Sequence, residues 1–241
     1  MVCSVSTAEL IAVFLICFLT ALAEKFADVY FLVDMGLGQG EFQQVRTLLV
    51  RLVNQLNVGE STIRFGLAQY GENVRVEFNF NSHKTKEETL SAVRRFRQPR
   101  GPVEKRNLGD ALEYARTHFF TSEAGSRAEQ GYGQYLVVLS GKDSDDPVYK
   151  PTRRIKSDGI TVIGMSLGAS MDEINVIATA PYIFQSISNA VPRLKAIFEN
   201  AEEETIFAGK KLFNYTLVVK IHPSITPMKM LFKDVYCYYL L

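Results

Sequence analysis

Tryptophan is absent from this 241-residue chain, and cysteine and histidine occur three times each. His83, His118 and His222 share no ligand spacing and precede no cysteine cluster, so they give no support to a zinc site. An excess of either charge is also missing. Lys plus Arg number 27 against 26 Asp plus Glu, a net +1 that offers no electrostatic footprint for nucleic acid. No Gly-X-Y repeat occurs, which excludes a collagen triple helix formed by this chain. No apolar run reaches the ~20 residues that a bilayer requires.

The longest apolar run, Leu10 to Ala23, is instead the length of a signal-peptide core. It ends in Ala21-Leu22-Ala23 before Glu24, a small-x-small cleavage pattern, although no Lys or Arg precedes it. An uncleaved anchor is the alternative. The expected division is a signal peptide over 1–23, one α/β domain over 24–200 and a tail over 201–241. Cys3 and Cys17 leave with the signal, so only Cys237 remains and no disulfide can form within the mature chain.

Between these ends, strand and helix patterns alternate. Val29–Val33, Ile63–Tyr70, Tyr135–Leu139 and Ile160–Met165 read as buried strands. Val74–Phe80 alternates apolar and polar after Gly71-Glu72-Asn73, which predicts a hairpin. Helices are predicted over 42–56, 85–96, 108–119, 146–157, 171–178 and 191–200, with a short edge strand over 182–185. Strands separated by helices imply a mostly parallel six-stranded sheet, doubly wound, with helices on both faces. Ligands of such sheets bind at the carboxyl ends of the strands, where Asp34, Ser140 and Met165 stand. The tail breaks the pattern. Leu212–Ile221 and Met230–Leu241 are β-prone and aromatic, which suits a hairpin, an appendage or a dimerising element, and Asn214-Tyr215-Thr216 is a glycosylation sequon.

Two enzyme-like motifs fail on their own terms. Gly36-Leu37-Gly38-Gln39-Gly40 evokes a dinucleotide turn, but Glu41 stands where the third glycine belongs. Gly164-Met165-Ser166-Leu167-Gly168 matches a nucleophile elbow, yet His222 is the only later histidine and lies in the tail. Arg94, Arg95, Arg97, Arg100, Lys105 and Arg106 form a basic run broken by Pro99 and Pro102, which reads as a solvated loop or a surface for sulfated glycans.

The Asp28–Asp34 strand, Arg64–Tyr70, Asn107–Leu112, Val137–Ser140 with Ser144-Asp145-Asp146, and Ile160–Gly164 fall in an order and spacing that resembles the von Willebrand factor A domain over Ala27 to Asn200. The wording is most similar to amino-terminal A domains of collagen VI α chains. The resemblance implies a metal-ion-dependent adhesion site built from Asp-x-Ser-x-Ser, a Thr and a second Asp. This chain keeps Asp34, but Gly36 and Gly38 replace the serines, Arg106 falls at the Thr and Gly141 at the second Asp. A hard divalent cation needs several oxygens, so a degenerate site with no metal and no cofactor is expected. Arg106 is expected to pair with Asp34. Asp143, Asp145 and Asp146, the remaining oxygen candidates, are expected to start the following helix.

What the resemblance implies is a secreted, non-catalytic protein-interaction module of the extracellular matrix. Its partners would be matrix proteins, collagens among them, with no nucleic acid and no membrane span. The rival readings are a cation-dependent cell-adhesion domain, an enzyme using Ser166, and a truncated product without function.

Overall fold

The strand β1, Ala27–Asp34, is buried at every residue and forms the axis of the domain. The structure, a computed structural model, describes residues 27–199. The expectations for the signal peptide, the tail, Asn214, His222 and Cys237 lie outside the described residues. Around β1 the chain runs α1 (Gln39–Gln55), β2 (Arg64–Tyr70), β3 (Val74–Phe78), α2 (Lys86–Arg95), α3 (Leu108–Tyr114), β4 (Gly133–Ser140), α4 (Tyr149–Ser157), β5 (Thr161–Ser166), α5 (Met171–Ile177), β6 (Ile183–Phe184) and α6 (Ala190–Glu199).

The six strands stand in the order β3-β2-β1-β4-β5-β6. All neighbours are parallel except the β2–β3 hairpin. Successive β1 side chains point to opposite faces. Val29, Phe31 and Val33 join a core with Phe42, Leu49, Val93, Leu194 and Phe198, so α1, α2 and α6 cover that face. Tyr30 and Leu32 join Leu108, Leu112, Ile155 and Ile174, so α3, α4 and α5 cover the other. Both neighbours of β1 are parallel strands, and the chain leaves it on one side toward β2 and on the other toward β4. That arrangement makes the carboxyl ends of β1 and β4 the topological switch point of the sheet.

Beyond shifts of one to three residues at other ends, three elements differ from their predicted extents in ways that matter for the site or the sheet. The predicted helix 108–119 is α-helical only to Tyr114, and Ala115–Phe119 is a π-helical turn. The wider turn sets the Phe119 ring flat on Tyr30, with centroids 3.8 Å apart and planes 3° apart. Gly66, opposite Tyr30 in the β1–β2 register, leaves room for the tyrosine, because a Cβ there would fall 2.2 Å from its ring. The helix predicted from Asp146 begins at Tyr149. Asp143, Asp145 and Asp146 therefore do not start it, since their carboxylates are committed to backbone N–H groups of other segments. β6 is two residues long, and its carbonyl edge is covered by Arg193, which donates to Pro181 O and Ile183 O.

At the amino end of β1 the fully buried Asp28 meets Arg127, whose side chain is 3% exposed. Asp28 Oδ1 accepts from Arg127 Nε (2.9 Å) and Nη2 (2.5 Å). Oδ2 accepts from the Arg127 backbone N–H (2.6 Å) and Gln134 Nε2 (3.0 Å). The guanidinium also donates to Glu60 O, Ala27 O and Thr62 O, and lies over the Tyr132 ring. Removing one partner of such a pair strands a buried charge, at a cost of about 3–5 kcal/mol. We expect Arg127→Ala to lose that much stability in urea unfolding. Asp28→Ala/Arg127→Ala should lose less than the two single changes added together.

Candidate functional site

The switch point is closed by Asp34, the last residue of β1, which is 0% exposed. Its Oδ1 accepts from the Gly36 N–H at 2.6 Å and its Oδ2 from the Gly141 N–H at 3.1 Å. Arg106 arrives from the loop before α3. Its Nε stands 3.4 Å from Asp34 Oδ2, and its Nη2 donates to Gly36 O at 3.1 Å. The Nε contact is an ion pair without hydrogen-bond alignment, since that buried nitrogen makes no hydrogen bond. Asp34, Gly36, Arg106 and Gly141 thus come together as the sequence predicts. Gly38 stands apart from them and opens α1, its N–H donating to Glu41 Oε2 at 2.6 Å.

The guanidinium fits because Gly36 has no side chain. A Cβ at Gly36 would fall 2.1 Å from Arg106 Nη2 and 2.5 Å from its Cζ. Gly141 is similarly confined, with a Cβ 2.6 Å from Leu37 Cδ2 and 3.2 Å from Asp34 Oδ2. Among Asp34, Gly36, Gly38, Arg106 and Gly141, Asp34 supplies the one oxygen-bearing side chain. The group beside it carries the same sign of charge as a metal ion would.

Burial raises the Asp34 pKa. The Gly36 and Gly141 N–H groups and the Arg106 charge oppose that rise and offset part of it. Beneath it Tyr70 donates to Ser140 Oγ at 3.0 Å, and burial, reinforced by the Asp34 charge, holds its hydroxyl well above the usual phenol range.

The acidic segment after β4 is a clamp that sequence reasoning missed. Asp145 Oδ2 accepts from the Arg106 N–H and the Asp145 N–H returns to Arg106 O. Asp146 takes the Gly109 and Asp110 N–H groups, each at 2.7 Å, at the start of α3. Asp143 takes the Ser170 N–H, and Glu173 Oε2 takes the Ser144 N–H. Burial raises the Glu173 pKa, with Asp143 and Asp146 adding to it. The backbone of Arg106 is therefore fixed before its side chain reaches Asp34. The sequence signal for it is weak: Pro147 bars a helix that begins as early as Asp143, but it is compatible with one opening at Asp146.

The other candidate groups lie elsewhere. Ser166 Oγ donates to Ala169 O at 2.8 Å. His83 packs edge-on against Phe78, and His118 stacks on Tyr114. Among the described residues no group of three or more His, Cys, Asp or Glu side chains could hold a metal ion, and no helix is long and apolar enough to cross a membrane.

An open, doubly wound sheet with its polar cluster at the switch point defines an α/β module of the kind that presents a site on strand ends. The model of the von Willebrand factor type A domain matches residues 28–200, and the chain belongs to that family. It is 30% identical to the collagen alpha-4(VI) chain of Mus musculus over 176 residues, which is 72% of this chain and 8% of that one. It is 34% identical to von Willebrand factor A domain-containing protein 1 of Bos taurus, covering 64% of this chain and 37% of the relative. The chain thus spans a small part of the collagen VI relatives it matches. Two solved structures share the fold. Proximal thread matrix protein 1 from the mussel byssus, with a zinc-occupied MIDAS motif, gives a TM-score of 0.65 at 21% identity, covering 74% of this chain and 48% of that one. Manganese-loaded Plasmodium vivax TRAP protein gives 0.60 at 18%, covering 73% and 74%.

Two predictions follow from the pair's geometry. Arg106 stabilises Asp34 only while the carboxylate is ionised. Arg106→Gln should therefore lower stability most at neutral pH, and the deficit should shrink as pH falls through the Asp34 titration, read by urea unfolding at neutral pH and at about pH 4. Gly36→Ser expels the guanidinium and should cost about 1–3 kcal/mol. Combining it with Arg106→Thr should recover part of that loss, measured as a coupling energy.

Proposed function

We propose that this chain is a non-catalytic, metal-independent protein-binding module of the extracellular matrix, in which Arg106 stands in for the divalent ion of the family's adhesion site. The observation that carries the reading is the guanidinium lodged between Asp34 and Gly36 O, in space that exists because residue 36 is glycine. One carboxylate, no hydroxyl and an adjacent fixed cation do not suit a Mg²⁺, Mn²⁺ or Ca²⁺ ion, each of which takes six or more oxygen ligands. The donor set of this chain does not fit the ion.

Arg106 Nη1 has no hydrogen bond among the described residues, and the side chain is 15% exposed. It offers a fixed donor to a carboxylate or carbonyl of a partner, the role a free metal position plays in adhesion domains. An arginine in this place is always charged, so engagement would not depend on ion supply. Similarity to collagen VI chains and to von Willebrand factor A domain-containing protein 1 supports a matrix setting with protein partners, collagens among them. The reading takes 1–23 as a cleaved signal, 24–200 as the folded module and Asn214 as the glycosylated position of the 201–241 tail.

Calorimetric titration of the secreted chain with Mg²⁺, Mn²⁺ and Ca²⁺, paired with thermal unfolding in each ion, tests the proposal. The expected result is no binding heat, no shift in Tm, and binding to immobilised collagens that EDTA leaves unchanged and Arg106→Gln weakens. One-site ion binding, or collagen binding abolished by EDTA, would move the chain to the cation-dependent adhesion class.

A further inference from the structure

The loop between α2 and α3 is held at its ends and open in its middle. From Gln98 to Lys105 no backbone N–H or C=O makes a hydrogen bond among the described residues. Anchors flank the stretch on both sides. Arg97 O accepts from Gln69 and Arg75, and the Gln98 side chain donates to Leu37 O. On the other side Val103 lies against Gly71, and the Arg106 backbone is clamped by Asp145. Arg100, Gly101 and Pro102 are exposed between them. The Arg100 guanidinium has neither an ion pair nor a hydrogen bond among the described residues.

We propose that Arg100–Gly101 is a processing site for an extracellular arginine-specific serine protease that favours proline before the arginine. Such an enzyme takes the arginine in a pocket ending in a carboxylate and binds the residues before it as an extended strand. Pro99 prepares that strand by fixing φ, and it also biases Gln98 toward extended backbone. Gly101, at φ +100°, tolerates the rearrangement that bound substrate requires and presents no side chain on the leaving side. Exposed loop tips of this kind are the preferred sites of nicking.

Competing basic bonds are less available. Arg94 and Arg95 lie in α2, and Arg153, Arg154 and Lys156 in α4. Lys150 precedes Pro151, and Arg127 is buried. Lys105 precedes the clamped Arg106 backbone.

Hydrolysis consumes one water. The amide C–N bond of Arg100–Gly101 breaks, the Arg100 carbonyl carbon gains the hydroxyl as a carboxylate, and the Gly101 nitrogen gains a proton as a new amino terminus. The contacts that join the two pieces survive the cut. β1 pairs with β4 across it from Ala27↔Gly133 to Val33↔Leu139, and Asp28–Arg127 and Asp34–Arg106 both bridge it. The product is a nicked domain with a new cationic terminus on the Arg106 loop.

The test digests the folded full chain with thrombin and, in parallel, with trypsin, followed by intact mass measurement and amino-terminal sequencing. We expect the first cut within residues 27–199 to expose Gly101-Pro102-Val103, and the two pieces to co-elute until denatured. Arg100→Gln should slow that cut by about 100-fold or more, while Arg94→Gln leaves its rate unchanged. Pro99→Ala should slow thrombin more than trypsin. Because Arg100 has no ion pair or hydrogen bond among the described residues, its variant tests cleavage without disturbing the fold described for residues 27–199. A first cut at any other bond in this range, or an unchanged rate in Arg100→Gln, overturns the proposal. The test reads the loop alone, so it is independent of metal binding by the Asp34 site.

Discussion

A carboxylate cannot be left alone in a protein interior, and this domain buries one at each end of its central strand. Asp28 and Asp34 are both fully enclosed, and each is met by an arginine. The two arginines come from the two ends of one segment. Arg106 precedes α3, and Arg127 follows the π turn that extends it. Twelve helical residues, Leu108 to Phe119, rise about 18 Å, and β1 from Asp28 to Asp34 covers about 20 Å. The helix therefore runs antiparallel along the strand and is fastened at both ends, with Phe119 stacked on Tyr30 between the fastenings. The charge requirement of β1 thus ties down both ends of the segment that carries α3, and the Tyr30 ring between them is met by the π turn.

The two ends are not equivalent. Asp28 accepts four hydrogen bonds, three from Arg127 and one from Gln134, and its arginine spends its remaining donors on backbone carbonyls. Asp34 accepts two backbone N–H groups, from Gly36 and Gly141, and one guanidinium contact at 3.4 Å. Its arginine keeps Nε without a hydrogen bond. A saturated pair serves the fold. A pair with donors unspent, placed at the strand ends where this topology puts ligands, is what the proposed function assigns to recognition. The difference comes from the surroundings of each carboxylate, since the residue types are the same.

Much of the fold was legible because its signals are local. Alternating strands and helices point to the doubly wound sheet, and the turn at Gly71-Glu72-Asn73 points to the antiparallel edge. The site positions Asp34, Gly36, Arg106 and Gly141 were legible from motif order, and they do converge. The misplacements are long-range in origin. Nothing near Asp146 in sequence says that its carboxylate belongs to Gly109 and Asp110, so the helix was begun too early. The π turn answers Tyr30, which lies far upstream. Asp28 stood in an apolar run without a visible partner, because Arg127 is almost a hundred residues away. A charged residue at the start of a buried strand is nevertheless a demand for a counter-charge, and the sequence held that demand in view.

Gly36 and Arg106 are best regarded as one change. A side chain at position 36 would occupy the guanidinium's volume, so Arg106 reaches Asp34 because residue 36 is glycine. The reverse also holds: without Arg106, Asp34 would remain buried with two N–H donors and no cation. The arginine meets that cost from within the chain. The missing side chain at 36 and the charge at 106 therefore depend on each other. In the proposed function this turns a site whose charge comes from solution into one whose charge is covalently fixed. What such a site gives up is sensitivity to ion concentration, and what it keeps is a cation at the carboxyl end of the central strand, facing outward.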